Sequence, residues 1–427
     1  MARILTYFTR SEFARNVGVM FSGNALALLL PFLLAPLISR IYTPEDFASY
    51  ELFVKLVTLV AVAASLRFEF AILLPKERDE ALAITRLCFR VLIWVTLISG
   101  TAFIVMRGPI SRLLNNADIA HLLWLFPVGV FSLGALNIMN QYLIRDRSFK
   151  EASLAKITSA AGNNVGKYGL GLFMANPLGL TIGHILGAVI PLAFMARLKR
   201  LRRVVLHKRD ERYGATALMR KYRDFPLVNS THAFFQEGQQ TLLLALISAY
   251  YGELALGLFA FSLRYLRVPL VVFGTSISQV LNEKWARDLN EGKRIRQSVI
   301  RVLLGLTALA IIPFTVLFFF GEPIFAFVFG ERWAEAGLYA EIMAPWLFFN
   351  FTVSPISTIP ILLKRQGAFF RIAVVAAILS LSALWYMGLE GFAFTEVLWV
   401  LTFINAGIMV YIMLWLIHIS GLSRQQD

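Results

Sequence analysis

The chain is built from apolar runs of about 20 residues, the length that carries an α-helix across about 30 Å of hydrocarbon. They fall at roughly 16–39, 47–74, 81–106, 121–144, 152–174, 177–195, 225–249, 253–281, 299–320, 338–363, 367–387 and 392–418. A helix satisfies its own backbone hydrogen bonds, so runs of this length enter lipid as helices and not as open sheet. Composition agrees: 58% of the 427 residues are hydrophobic and 16% charged, where a soluble domain carries about a quarter charged. The expected fold is an all-α integral membrane protein of about twelve transmembrane helices.

The net charge of +15 would suit nucleic acid, but its placement excludes that partner. The N-terminus, Lys76/Arg78, Arg145/Arg147/Lys150, the 196–224 and 282–298 loops, Lys364/Arg365 and the C-terminus hold about 27 of the Lys and Arg residues; the alternate loops hold about four, Arg40, Arg107, Arg112 and Arg332. The positive-inside rule then places both termini in the cytoplasm and makes the span number even. Residues 1–15 interleave Ile4, Leu5, Tyr7, Phe8 and Phe13 with Arg3, Arg10 and Arg15. That pattern reads as an interfacial amphipathic helix or as a plain polar tail. Cys88 is a single cysteine, so no intramolecular disulfide forms.

The longest loop, 196–224, is a basic cytoplasmic linker between a six-helix half at 1–195 and a second at 225–427. It anchors topology or recognises anionic headgroups. A short repeat supports the division. At a constant offset of 209 residues Ala48 aligns with Gly257, Tyr50 with Phe259 and Lys55 with Arg264. Repeated halves commonly hold a substrate site near the membrane midplane. The extracytoplasmic loops are too short for a soluble catalytic domain, which argues against a glycan polymerase or ligase. There is no P-loop, no HExxH and no paired-cysteine motif. No catalytic residue, metal or cofactor is expected, and the chain is not read as an enzyme.

Charge inside the bilayer is costly, about 2.5–3.5 kcal/mol at the centre on insertion scales, so each buried ion needs a reason. Glu51, Lys55, Thr58 and Glu69 share one helical stripe; Lys156, Ser159, Asn163 and Lys167 a second; Asn229, His232, Gln236 and Gln240 a third, with Glu237 beside it; Arg264, Arg267, Thr275 and Ser278 a fourth; and Asn350, Ser354 and Ser357 a fifth. Five such stripes suit a water-filled lumen. Lys55, Lys167, Arg264 and Arg267 make it cationic and suited to an anion, and arginine forks match phosphate oxygens. Asn163, His232, Gln236, Gln240 and Asn350 would line it. Glu51, Glu69, Glu237 and Glu396 are candidates for coupling to a proton or sodium ion. Plainer readings stand beside these: a Glu51–Lys55 structural pair, amide contacts between helices, and a packed His184.

Particular stretches are familiar. Lys221-Tyr-Arg-Asp-Phe-Pro-Leu227, Tyr251-Gly252, Gly257-Leu-Phe-Ala260, Arg264, Pro269 and Gln279-Val280 resemble the second half of bacterial polysaccharide flippases, the Wzx-type branch of the multidrug/oligosaccharidyl-lipid/polysaccharide exporter superfamily. Pro36 to Phe47 and Glu69-Phe-Ala-Ile72 resemble the first half. Ala48 departs from an expected glycine. The resemblance runs over nearly the whole chain and rests on order and spacing. It implies two six-helix bundles around a central cavity and alternating access. The implied substrate is a polyprenyl-diphosphate-linked oligosaccharide, moved from the cytoplasmic to the periplasmic leaflet for O-antigen (lipopolysaccharide) or exopolysaccharide synthesis. Membrane lipids and the polymerase and assembly proteins of that synthesis are the implied partners. An ion-coupled drug or metabolite antiporter on the same fold is the competing reading.

Overall fold

A computed structural model describes residues 12–197 and 213–421, with side chains from Leu26 onward except those of residues 228, 272, 275 and 276. The expected interfacial segment up to residue 11, most of the basic linker and the side chain of Thr275 lie outside the described residues. The described chain is helical, without a strand. Its long helices are α1 (Glu12–Ser39), α2 (Pro44–Ala61), α3 (Arg78–Val105), α4 (Phe126–Arg145), α5 (Phe149–Gly171), α6 (Pro177–Ala196), α7 (Ser230–Asn290), α8 (Arg296–Phe329), α9 (Ala334–Val353), α10 (Gln366–Leu389) and α11 (Phe394–Ile419).

Eight helical stretches among the described residues are long and apolar enough to cross a membrane. One of them, Phe225–Val271, has 47 residues, enough for two crossings at about 20 residues each. Helices α2 and α5 are absent from the eight because they carry the polar stripes. With α1 they complete a plan of about twelve.

Local chemistry sets many boundaries. Thr43 caps α2 by accepting from the Asp46 N–H at 3.2 Å, and Asp46 returns the bond to the Thr43 N–H at 2.8 Å, with Pro44 in the first turn. Asn176 caps α6 by accepting from the Leu178 and Gly179 N–H groups, again followed by proline. Gly252 divides α7 with φ +80°, a conformation that only glycine adopts without strain.

Three expected spans are corrected. The continuous helix at 47–74 ends at Ala61; Leu66 and Arg67 then take left-handed φ of 51° and 59°, and a 3-10 helix follows at Phe68–Leu73. Glu69 therefore does not share one helical stripe with Glu51 and Lys55. The run at 338–363 breaks at Val353 into 3-10 and short helical turns around Pro355 and Pro360. The run at 299–320 continues to Phe329, past a non-helical Phe320.

The chain forms two compact units, Met1–Ala245 and Leu246–Asp427. In the first, α5 packs most extensively on α6 and α1, α3 packs on α4, and α2 lies against α4 and α6. The α5–α6 interface is close because Gly162 and Gly166 meet Gly183 and Gly187. In the second unit α9 packs on α8 and α11. Its core gathers Trp285, Ile295, Val299, Ile356, Ile359, Leu416 and Ile419.

Candidate functional site

Among the described residues of the first unit, three separate clusters hold the charged candidates Lys55, Glu237, Lys167 and Glu69. The first joins α2 to the beginning of α7. Lys55 Nζ donates to Gln240 Oε1 at 2.7 Å and lies 3.7 Å from Glu237 Oε2. The side chains of Lys55 and Glu237 are 22% and 21% exposed. The Thr241 hydroxyl fixes the local turn by donating to the Glu237 carbonyl at 2.8 Å. Lys55 of the first stripe thus meets Gln240 of the third and the Glu237 beside it. Gln236 and His232, one and two turns earlier on α7, are exposed.

The second cluster is buried. Lys167 Nζ donates to the Tyr50 hydroxyl at 2.8 Å and sits 4.3 Å from the centroid of the Tyr50 ring. The Tyr50 hydroxyl and Asn163 Nδ2 each lie 3.4 Å from His184 Nδ1. The Tyr42 hydroxyl donates to the Lys167 carbonyl at 2.8 Å. Lys167 is 3% exposed and Tyr50 fully buried. The ammonium is therefore packed inside the helix bundle, where a hydroxyl and a π face replace water. Asn163 is half-buried beside it, and Glu51 is 6% exposed.

The third cluster sits at the left-handed bend after α2. Glu69 accepts a hydrogen bond from the Ser65 hydroxyl and lies 3.6 Å from an Arg67 guanidinium nitrogen. Arg67 also covers the Phe70 ring at 5.2 Å.

In the second unit Arg264 is half-buried, Arg267 exposed and Asn350 half-buried. Glu396 lies in the first turn of α11 and accepts from the Ala393 N–H at 3.0 Å. The two repeats are chemically unlike. Where Tyr50 meets Lys167 and His184, its repeat partner Phe259 meets Phe394 at 6.1 Å, and Phe394 also contacts Tyr251 and Tyr339. Tyr50 was missed in the sequence as a polar partner. An aromatic residue on an apolar helix carries no local sign that its hydroxyl meets a lysine 117 residues away, although its place in the 209-residue repeat marked the position. Among the described residues no three His, Cys, Asp or Glu side chains could hold a metal.

A family model described as "Polysaccharide biosynthesis protein" matches residues 37–337, most of the chain. The chain belongs to this polysaccharide biosynthesis protein family. Among relatives, it is 22% identical over 405 residues to the succinoglycan biosynthesis transport protein ExoT of Rhizobium meliloti (strain 1021), covering 93% of this chain and 78% of that one. Its fold is shared with an inward-facing multidrug resistance MATE family transporter of the MOP superfamily, at a TM-score of 0.71 and 14% identity over 94% of this chain and 99% of that one. It is also shared with lipid II flippase MurJ in an inward closed conformation, at 0.70 and 14% over 95% and 88%. The resemblance drawn from the sequence holds. This member of the family is a multi-pass membrane protein of the MOP fold, and the three clusters described above fall within the matched residues.

Proposed function

We propose that this chain moves polyprenyl-diphosphate-linked oligosaccharide units from the cytoplasmic to the periplasmic leaflet of a bacterial inner membrane by alternating access. The observation that carries this reading is the family match across residues 37–337 on a fold shared with a lipid II flippase. The relative whose name concerns succinoglycan transport favours exopolysaccharide over O-antigen as the product. Arg264 and Arg267 are the residues proposed for the diphosphate, since neither is fully buried and arginine offers paired donors to phosphate oxygens. Glu51 and Glu69, both buried in the first unit, are proposed for coupling to a proton or sodium ion. Polymerase and assembly proteins of the same synthesis are the proposed partners. An ion-coupled drug or metabolite antiporter is the second reading, favoured by the likeness to a MATE transporter.

The test uses cells lacking this chain, and lacking any redundant flippase, with the matching glycan pathway switched on. The expected result is lipid-linked oligosaccharide held on the cytoplasmic side and loss of surface polymer. Wild type should restore export, and Arg264→Glu, at normal membrane level, should not. Normal surface polymer without accumulation would reject the flippase and leave the antiporter.

A further inference from the structure

We propose that Lys55, Glu237 and Gln240 form a recognition site for sugar hydroxyls, which reads the glycan and not the diphosphate. The inference rests on the flippase reading above and assigns one part of the substrate to one cluster of the first unit.

Charge comes first. An ammonium and a carboxylate 3.7 Å apart cancel at longer range, so Lys55 offers no net field to draw in a diphosphate. Hydrogen-bonding capacity comes second. Glu237 Oε2 is buried and has no hydrogen-bond partner among the described residues. A carboxylate oxygen in that state calls for a donor. A phosphate ester without protons has no donor to give, whereas a sugar hydroxyl donates to one group and accepts from another. Lys55 and the Gln240 amide supply donors beside Glu237, so adjacent hydroxyls find both complements in one place.

Access comes third. Gln236 and His232 extend the same face of α7 from Gln240 at intervals of four residues, and both are exposed inside the apolar span Phe225–Val271. Hydrogen-bonding side chains exposed along a membrane span belong on a wet path and not in hydrocarbon. The row ends at the triad, where the Lys55 and Glu237 side chains keep about a fifth of their surface open. The whole constellation lies within one compact unit, on α2 and the first turns of α7. The two charges expected separately as an anion site and an ion-coupling site become one neutral, specificity-determining site.

The test is binding to purified full-length protein in lipid nanodiscs with two probes. One is lipid-linked oligosaccharide extracted from the deletion cells; the other is undecaprenyl diphosphate without sugar. Gln240→Leu and, as a second variant that keeps the site neutral, the double substitution Lys55→Met with Glu237→Leu are expected to weaken the first probe about ten- to a hundredfold, the loss of one or two hydrogen bonds to a charged site. Binding of the sugar-free probe should stay within about twofold. An equal loss for both probes would make the triad an anion site and overturn the proposal. So would unchanged binding of both in variants with wild-type melting temperature. If wild-type protein binds neither probe, the flippase reading itself falls, an outcome distinct from the other two.

Discussion

The Lys167 ammonium on α5 donates to the Tyr50 hydroxyl on α2 across 2.8 Å and rests 4.3 Å from the centroid of the same ring. A lysine that is 3% exposed keeps its charge only if hydrogen-bond acceptors and π density replace lost water. Tyr50→Phe keeps the ring and removes the acceptor, and is expected to cost about 1.5–3 kcal/mol of stability, the range for a hydrogen bond to a charged group. Lys167→Met removes the ion and takes from the hydroxyl its 2.8 Å neighbour, leaving His184 Nδ1 at 3.4 Å. The double variant removes both members of the pair at once, so its loss should be clearly smaller than the sum of the two single losses. Thermal unfolding of the four proteins in one detergent measures this. Additive losses would mean that the two groups do not depend on each other.

Glycine at 183 is what lets α6 approach that lysine. A Cβ there would meet the Lys167 backbone nitrogen at 2.6 Å and its Cα at 2.9 Å, atoms that cannot rotate away. Gly183→Ala should therefore separate α5 from α6 and sharply lower the amount of folded protein in the membrane. Gly169→Ala, with nothing within 4 Å of the new methyl, is the control and should accumulate normally, with a small gain from helix propensity. Quantitative fluorescence of tagged variants in membranes reads both; normal accumulation of Gly183→Ala would mean the interface is loose.

The sequence made the spans legible where local signals exist. Asn176 and Pro177 start α6, Thr43 and Pro44 start α2, and Gly252 breaks α7 between two expected spans. The end of α2 was not legible, because residues 61–67 contain no Pro or Gly and the left-handed turn falls on Leu66 and Arg67, residue types that carry no turn signal. The site was half legible. Polar stripes identified Lys55, Glu237 and Gln240 as unusual, but a stripe says which residues share one helix face and not which helices meet. Residues 55 and 240 are 185 apart, and only the tertiary fold turns a candidate anion site and a candidate coupling acid into one ion pair. Lys167 looked like a lumen cation for the same reason. Its hydroxyl partner is Tyr50, 117 residues away.

Glu396 was a candidate for ion coupling, yet its carboxylate accepts the Ala393 N–H at 3.0 Å and closes the first turn of α11. That is a helix-start role, and glutamine performs it too. Glu396→Gln is expected to keep full export of polymer and to change stability by under about 1 kcal/mol. Glu69→Gln, by contrast, should lose export, because this buried carboxylate is proposed for coupling. Surface polymer in complemented deletion cells separates them, and loss of export in Glu396→Gln would return Glu396 to the coupling set.

Outside the membrane, Lys221 Nζ lies 2.6 Å from Glu80 Oε1, the Tyr222 hydroxyl donates to the same oxygen at 2.8 Å, and the Tyr213 hydroxyl donates to Glu77. The end of the linker is thereby held to the start of α3 within the first unit. The hydrogen bond to Glu80 raises the Lys221 pKa above its ordinary value. A raised ammonium pKa contributes fully below the unfolded value of about 10.4 and is lost only as pH climbs through the folded one. Lys221 therefore gives the clamp no pH dependence between about pH 6 and 8. The ion pair is solvent-exposed on the lysine side and screened by salt, so most of the hold comes from the buried Tyr222 ring and its hydroxyl. The expected outcome is that Glu80→Gln, which keeps an acceptor for Tyr222, speeds proteolytic cleavage within 213–222 only modestly, whereas Tyr222→Ala speeds it several-fold. Cleavage of inside-out vesicles, followed by mass spectrometry, ranks the two; a larger effect from Glu80→Gln would make the exposed ion pair the stronger restraint.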